Sequence, residues 1–190
     1  MLLGLTGGIG AGKSTALAAF EQLGCPTLSS DAVVHALYRD PEVRAAVVER
    51  FGPDVLGPDG EVERSAVAAR VFSDDIARRW LEQLLHPRVG AALERWRAEQ
   101  EAANPGALLV HEVALLYEAG LADRYDGVVL ITAPDEVRRA RTPERFAERS
   151  AKQLPEAQKV AKADHVYVND GSPADLERWV ADLVARLRAA

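Results

Sequence analysis

Gly7, Gly12, Lys13 and Ser14 stand at the spacing G-x-x-x-x-G-K-[ST] inside GGIGAGKST, residues 7–15. Glycines let backbone N–H groups approach an anion with no Cβ in the way, so a turn of this composition becomes a concave nest of donors. A helix that starts there aims its N-terminal dipole and unsatisfied N–H groups at the same point. Lys13 then reaches the outer phosphates of a nucleoside triphosphate, and the hydroxyl of Ser14 ligates Mg²⁺. The pattern predicts a P-loop in which Gly8, Gly10, Ala11, Gly12, Lys13, Ser14 and Thr15 hold the triphosphate. A dinucleotide fingerprint begun at Gly8 and Gly10 fails, because its third small-residue position is Lys13.

A bound triphosphate can drive a switch, a motor or transfer to a second substrate. A GTPase is expected to carry N-K-x-D after a late strand, and the nearest candidate, Asn169-Asp170-Gly171, has no lysine. A motor ATPase usually needs a longer chain, which leaves a small-molecule kinase. Such an enzyme requires a base or orienting group beside the acceptor hydroxyl. Asp31 follows the second strand-like run, at the strand end where open α/β sheets place ligands. The same position suits an N-cap for a helix starting at Ala32. Position alone leaves both roles open.

The elements that must carry these residues show in the apolar pattern. Strand-like runs lie at 2–6, 26–29, 107–112, 127–132 and 165–169, separated by mostly helical segments. Runs apolar on both faces indicate buried parallel strands, and their alternation with helices indicates an open α/β sheet covered on both sides. Residues 32–104 hold no convincing strand. Spacings such as Val89, Leu93 and Trp96 make that interval a helical insertion, with turns across the Gly-, Pro- and Asp-rich residues 51–64. Near the C-terminus Leu176, Val180, Leu183, Val184 and Leu187 form one helical face, with Ser172 as N-cap and Pro173 as first helical residue. The expected fold is thus α/β: a P-loop-type, doubly wound, parallel five-stranded sheet with its core at 1–31 and 106–190 and an insertion at 32–105.

The 190 residues fit one domain that folds alone, expected as a monomer, and 48% hydrophobic with 27% charged residues is an ordinary globular balance. A net charge of −6 disfavours nucleic-acid and membrane partners while leaving small anionic substrates open. Cys25 is the only cysteine, so an internal disulfide is impossible and a reducing cytoplasm is expected; its own reading is a small buried hydrophobe. The glycine-rich N-terminal stretch with Lys13 resembles neither a signal peptide nor a membrane span.

Beyond the P-loop, an ordered set of motifs resembles the dephospho-CoA kinase family along nearly the whole chain. LTGGIGAGKST is followed by SSDAVVH, similar to D-A-D-x-[IV]-A-[RH]; by FG, L, DG and ER across residues 51–64; and by LLHPRV, similar to [IT]-x-H-P-x-V. Then come HEVALLYEAG, similar to D-I-P-L-L-F-E-x-G; VVLITAP; and ADHVYVNDG, similar to A-D-x-V-I-x-N-x-G. The resemblance implies transfer of the γ-phosphoryl group of ATP to the ribose 3′-hydroxyl of dephospho-CoA, on a P-loop core with a helical substrate domain and a mobile lid. It implies that Asp31 is the catalytic base. His86 faces the acceptor or is a polar residue before Pro87 at a helix start. Glu112, which departs from the family's aspartate after the third strand, holds Mg²⁺ through water beside Ser14, while Tyr117 and Glu118 are structural or functional.

The basic stretch VRRARTPERFAERSAKQ occupies the lid, about residues 137–158. Pro143 suggests a break there, with Thr142 as N-cap of the restarted helix. The resemblance puts Arg149 on the family's lid arginine; this positive cluster in a chain of net charge −6 makes Arg149, and Arg141 just before the break, the expected phosphate contacts, and the remaining basic residues, Arg138, Arg145 and Lys152 among them, face solvent. Three departures stand out. Ser29 replaces the first aspartate of D-A-D, Ala114 replaces the proline of D-I-P-L-L, and the D-G-L expected before the lid's second half is missing, shortening the lid by about one helical turn. The rival readings are a P-loop kinase for another small metabolite or nucleoside monophosphate, and a nucleotide-binding switch without transfer activity.

Overall fold

The first apolar run forms β1 (Leu2–Gly7), buried at every residue, in a computed structural model that describes residues 1–72, 74–143, 146–150 and 153–189, the side chains at 148 and 149 lying outside that description. In chain order follow α1 (Lys13–Gln22), β2 (Thr27–Ser29), α2 (Ser30–Leu37), α3 (Pro41–Phe51), α4 (Arg64–Phe72), α5 (Asp75–Ala103), β3 (Leu109–Glu112) and β4 (Gly127–Thr132). Then come α6 (Asp135–Arg141), α7 (Phe146–Ser150), α8 (Glu156–Val160), β5 (His165–Val168) and α9 (Pro173–Ala189). The strands form one five-stranded sheet in the order β2-β3-β1-β4-β5, parallel at every pairing. All carboxyl ends therefore lie on one edge. Glu112 is paired in register with both Leu5 and Ser29 there.

The chain divides into two compact units, residues 1–29 with 99–190, and residues 30–98. In the first, Leu3, Leu5, Val129 and Ile131 of the sheet pack with Ala16 and Phe20 of α1 and with Leu176, Val180 and Leu183 of α9. Full burial of each Leu contributes roughly 1.5–3 kcal/mol, so the C-terminal helix is an integral part of this core. Ser172 and Asp175 cap it reciprocally: the Ser172 hydroxyl donates to Asp175 Oδ2 at 2.6 Å and accepts from the Asp175 N–H at 3.3 Å. The opposite face of the sheet carries Val113, Leu116, Tyr117 and Val128.

The second unit has its own core of Tyr38, Val43, Val47, Val55, Val67 and Leu85, with Phe51 meeting Trp80 edge-on at 5.4 Å. Asp40 caps α3 by accepting from the Glu42 and Val43 N–H groups ahead of Pro41. The turn-rich segment closes through an antiparallel bridge between Leu56 and Val62. Among the described residues, no helix is long and apolar enough to cross a membrane.

Candidate functional site

The loop leaving β1 enters α1 through Gly12, which takes a left-handed conformation (φ 104°, ψ 20°). Any side chain there would be strained and would also collide, since a Cβ would lie 2.3 Å from Asn169 Nδ2. The turn closes with the Ala11 N–H donating to the Gly8 carbonyl at 3.1 Å. Lys13 folds over it, its ammonium donating to the carbonyls of Gly7 at 3.0 Å and Gly8 at 3.3 Å. Ser14 and Thr15 are exposed on the first turn. No side chain caps this helix and no acid stands in its first turn. A helix start with a lysine gathered over it, no side-chain cap and no acid in its first turn fits a polyphosphate.

Two arginines of α6 meet the loop. Arg141 donates to the carbonyl of Gly10 at 3.3 Å and to that of Asn169 at 3.4 Å, which brings the expected phosphate contact onto the loop itself. Arg138 corrects the expectation of a solvent-facing residue, because it is only 4% exposed. Its guanidinium pairs with Asp135, approaches Glu156 at 3.9 Å and lies over the Phe146 ring at 5.3 Å. It also rests on the loop: a Cβ on Gly8 would come within 2.1 Å of its Nη1. Arg138, Gln153 and Glu156 contribute to the lining of a cavity of about 370 Å³. Thr142 does not begin a new helix. Its hydroxyl donates back to the Arg138 carbonyl at 2.9 Å and closes the end of α6. Arg145, Lys152 and the side chain of Arg149 lie outside the described residues.

Glu112 ends β3 and is 8% exposed, its Oε2 accepting from the Ser29 hydroxyl at 2.9 Å. Two departures that look independent in sequence are thus one hydrogen-bonded pair. The hydroxyl of Ser14 and the carboxylate of Glu112 are hard oxygen donors of the kind Mg²⁺ takes when phosphates supply other ligands. Among the described residues no cluster of three His, Cys, Asp or Glu side chains could hold a metal ion.

Asp31 and His86 belong to the second unit. The helix α2 already starts at Ser30, so Asp31 is an exposed residue of its first turn and not an N-cap ahead of Ala32. His86 is exposed within α5, which runs on through Pro87, so it does not stand at a helix start. The Arg88 guanidinium donates to the Leu84 carbonyl at 2.9 Å beside the proline.

Behind the site, Glu118 accepts from the Leu154 N–H at 2.7 Å and pairs at 3.0 Å with Lys159, which is fully buried. Tyr117 is buried too, its hydroxyl pushed up to about 12 by desolvation. His111, one residue before Glu112, shares a 2.8 Å hydrogen bond with the Tyr125 hydroxyl, and burial first, then Arg124, lowers its pKa to about 4. Cys25 is a buried thiol whose pKa burial raises. Arg138, Asn169 and Gln153 also surround the loop, although nothing local in the sequence assigns Arg138 or Gln153 there. Asn169 carries a usable signal, a polar residue directly after a strand on the ligand edge.

The family model for dephospho-CoA kinase matches residues 1–175. A dephospho-CoA kinase from Anaeromyxobacter dehalogenans is 40% identical over 195 residues, spanning 98% of this chain and 92% of that one. The crystal structure of TT1252 from Thermus thermophilus superposes with a TM-score of 0.80 at 33% identity, covering 98% of this chain and 97% of the other. A dephospho-CoA kinase structure from Campylobacter jejuni shares the fold at a TM-score of 0.74 and 22% identity, covering 98% and 96%.

Proposed function

Since the chain belongs to the dephospho-CoA kinase family, its ATP-dependent phosphorylation of dephospho-CoA is the last step of coenzyme A synthesis, and we propose that the group is added to the ribose 3′-hydroxyl. The observation that carries this reading is the start of α1 on Gly12, uncapped by any side chain, with the Lys13 ammonium gathered over the preceding turn.

In the proposed reaction the loop amides and Lys13 bind the β and γ phosphates, and Arg141 leaves its loop carbonyl partner for a γ-phosphate oxygen. Asp31 accepts the proton of the acceptor hydroxyl as that oxygen bonds to the γ phosphorus. The bond to the β–γ bridging oxygen breaks, and ADP leaves. Mg²⁺, held by Ser14 and Glu112, would supply neutralising charge across the β and γ phosphates. Residues 30–98 serve as the acceptor-binding unit through Asp31 and His86, and residues 137–158 as the lid, with Arg149 as a further phosphate contact. The net charge of −6 supports small substrates over nucleic acid or membrane as partners, and we infer a cytoplasmic monomer.

The test is product mass. With ATP and Mg²⁺, dephospho-CoA should gain one phosphoryl group, whereas AMP, shikimate and gluconate should not. Preference for one of those acceptors, or ATP binding without any acceptor-dependent ADP, would replace this reading.

A further inference from the structure

Gln153 makes two hydrogen bonds through one carboxamide. Its Oε1 accepts from the Ile9 N–H at 3.3 Å, and its Nε2 donates to the Ala114 carbonyl at 3.3 Å. Neither partner can exchange roles, so the orientation of the amide is dictated by its surroundings. Ile9 is the P-loop residue between Gly8 and Gly10, and the peptide units on either side of it have little conformational restraint of their own. Ala114 lies just past Glu112, the proposed Mg²⁺ ligand. One side chain thus spans from the crest of the phosphate loop to the segment leaving β3.

That side chain is itself held. The Gln153 N–H donates to the Ser150 carbonyl at 3.1 Å. The next residue, Leu154, donates its N–H to Glu118, whose carboxylate is paired with buried Lys159. The bracket is therefore anchored to the sheet side of the unit while reaching out to the loop.

We propose that Gln153 is a positioning residue for ATP: it sets the direction of the Ile9 peptide and so the shape of the phosphate cradle. This rests on the reading that the loop holds ATP phosphates. Only a carboxamide serves both partners. Gln153→Glu is isosteric, but ionised it is an acceptor alone and turns a charge toward the Ala114 carbonyl. Gln153→Met keeps the length and forms neither bond.

The test titrates the full chain with a non-hydrolysable ATP analogue and Mg²⁺ by calorimetry, alongside KM for ATP and for dephospho-CoA. Loss of both bonds predicts an analogue Kd about 3- to 10-fold weaker for Gln153→Met, and a weaker Kd also for Gln153→Glu, which still accepts from the Ile9 N–H but turns its charge toward the Ala114 carbonyl. KM for ATP should rise in parallel while KM for dephospho-CoA stays put. Wild-type Kd in both variants would overturn the proposal, as would equal rises in both KM values with a lowered Tm, the sign of a merely structural role. Should the methionine variant fail to fold, the isosteric glutamate variant decides by the same criterion. A wild-type chain that binds no analogue would instead bring down the phosphate-loop reading, and this proposal with it.

Discussion

Asn169 Nδ2 donates to the Ala11 carbonyl at 2.8 Å, joining the loop after β5 to the loop after β1 across 158 positions of sequence. Asn169 is 5% exposed and its own N–H is fixed on the Thr132 carbonyl at 2.7 Å, so it acts as a rigid strut. The strut fits only because Gly12 has no side chain. Gly12→Ala should therefore displace Asn169 and strain a left-handed residue, the conformation alone costing about 1–2 kcal/mol. The expected outcome is a lowered Tm and a KM for ATP raised about tenfold or more. Unchanged values for both would mean that the strut has no part in shaping the loop.

Asp31→Asn keeps the size of the side chain and removes its ability to take a proton. Turnover should fall by about 10²–10⁴, with KM for ATP nearly unchanged. Steady-state kinetics with saturating dephospho-CoA check this, and full turnover would assign the base elsewhere.

Ser29→Ala withdraws the hydroxyl that donates to Glu112 and leaves a buried carboxylate short of one partner. The carboxylate is then less well held for a metal ion. A Mg²⁺ titration of ADP formation should need about 3- to 10-fold more metal at half-maximal rate, in line with one lost charge-assisted hydrogen bond. A curve superimposing on wild type would separate Ser29 from the metal.

Acid should weaken the fold through His111. Burial holds its pKa at about 4 against an ordinary 6.5, so the unfolded chain binds a proton below pH 6.5 that the folded chain refuses until about pH 4. Protons then favour the unfolded state, and stability is lost as pH falls through that window. Between pH 7 and 5 this group alone should remove about 2 kcal/mol. Urea unfolding at the two pH values, compared with His111→Gln, measures it. The variant should lose correspondingly less, and equal losses would contradict the assignment.

How much of this could be read from sequence depends on whether the signal is local. The buried strands and the GGIGAGKST turn are legible because apolar periodicity and glycine spacing are properties of neighbouring residues. The capping of α9 by Ser172 is legible for the same reason. Arg138 is not, since a run of arginines ordinarily marks a solvated face. Its burial needs Gly8, Phe146 and Glu156, which come from separate segments. Lys159, fully buried against Glu118, is hidden for the same reason. Pro87 suggests a helix boundary by its chemistry, yet α5 passes through it. Ser29 and Glu112 look like two unrelated departures until the pairing of β2 with β3 brings them into register.

The most direct measurement follows label from ATP carrying a marked γ phosphate into the product formed with dephospho-CoA, in wild type and in Lys13→Ala. Label is expected on the ribose 3′ position of coenzyme A with wild type, and a rate at least ~10² lower with the variant. Label released only as inorganic phosphate, or a Lys13→Ala chain as fast as wild type, would contradict this expectation.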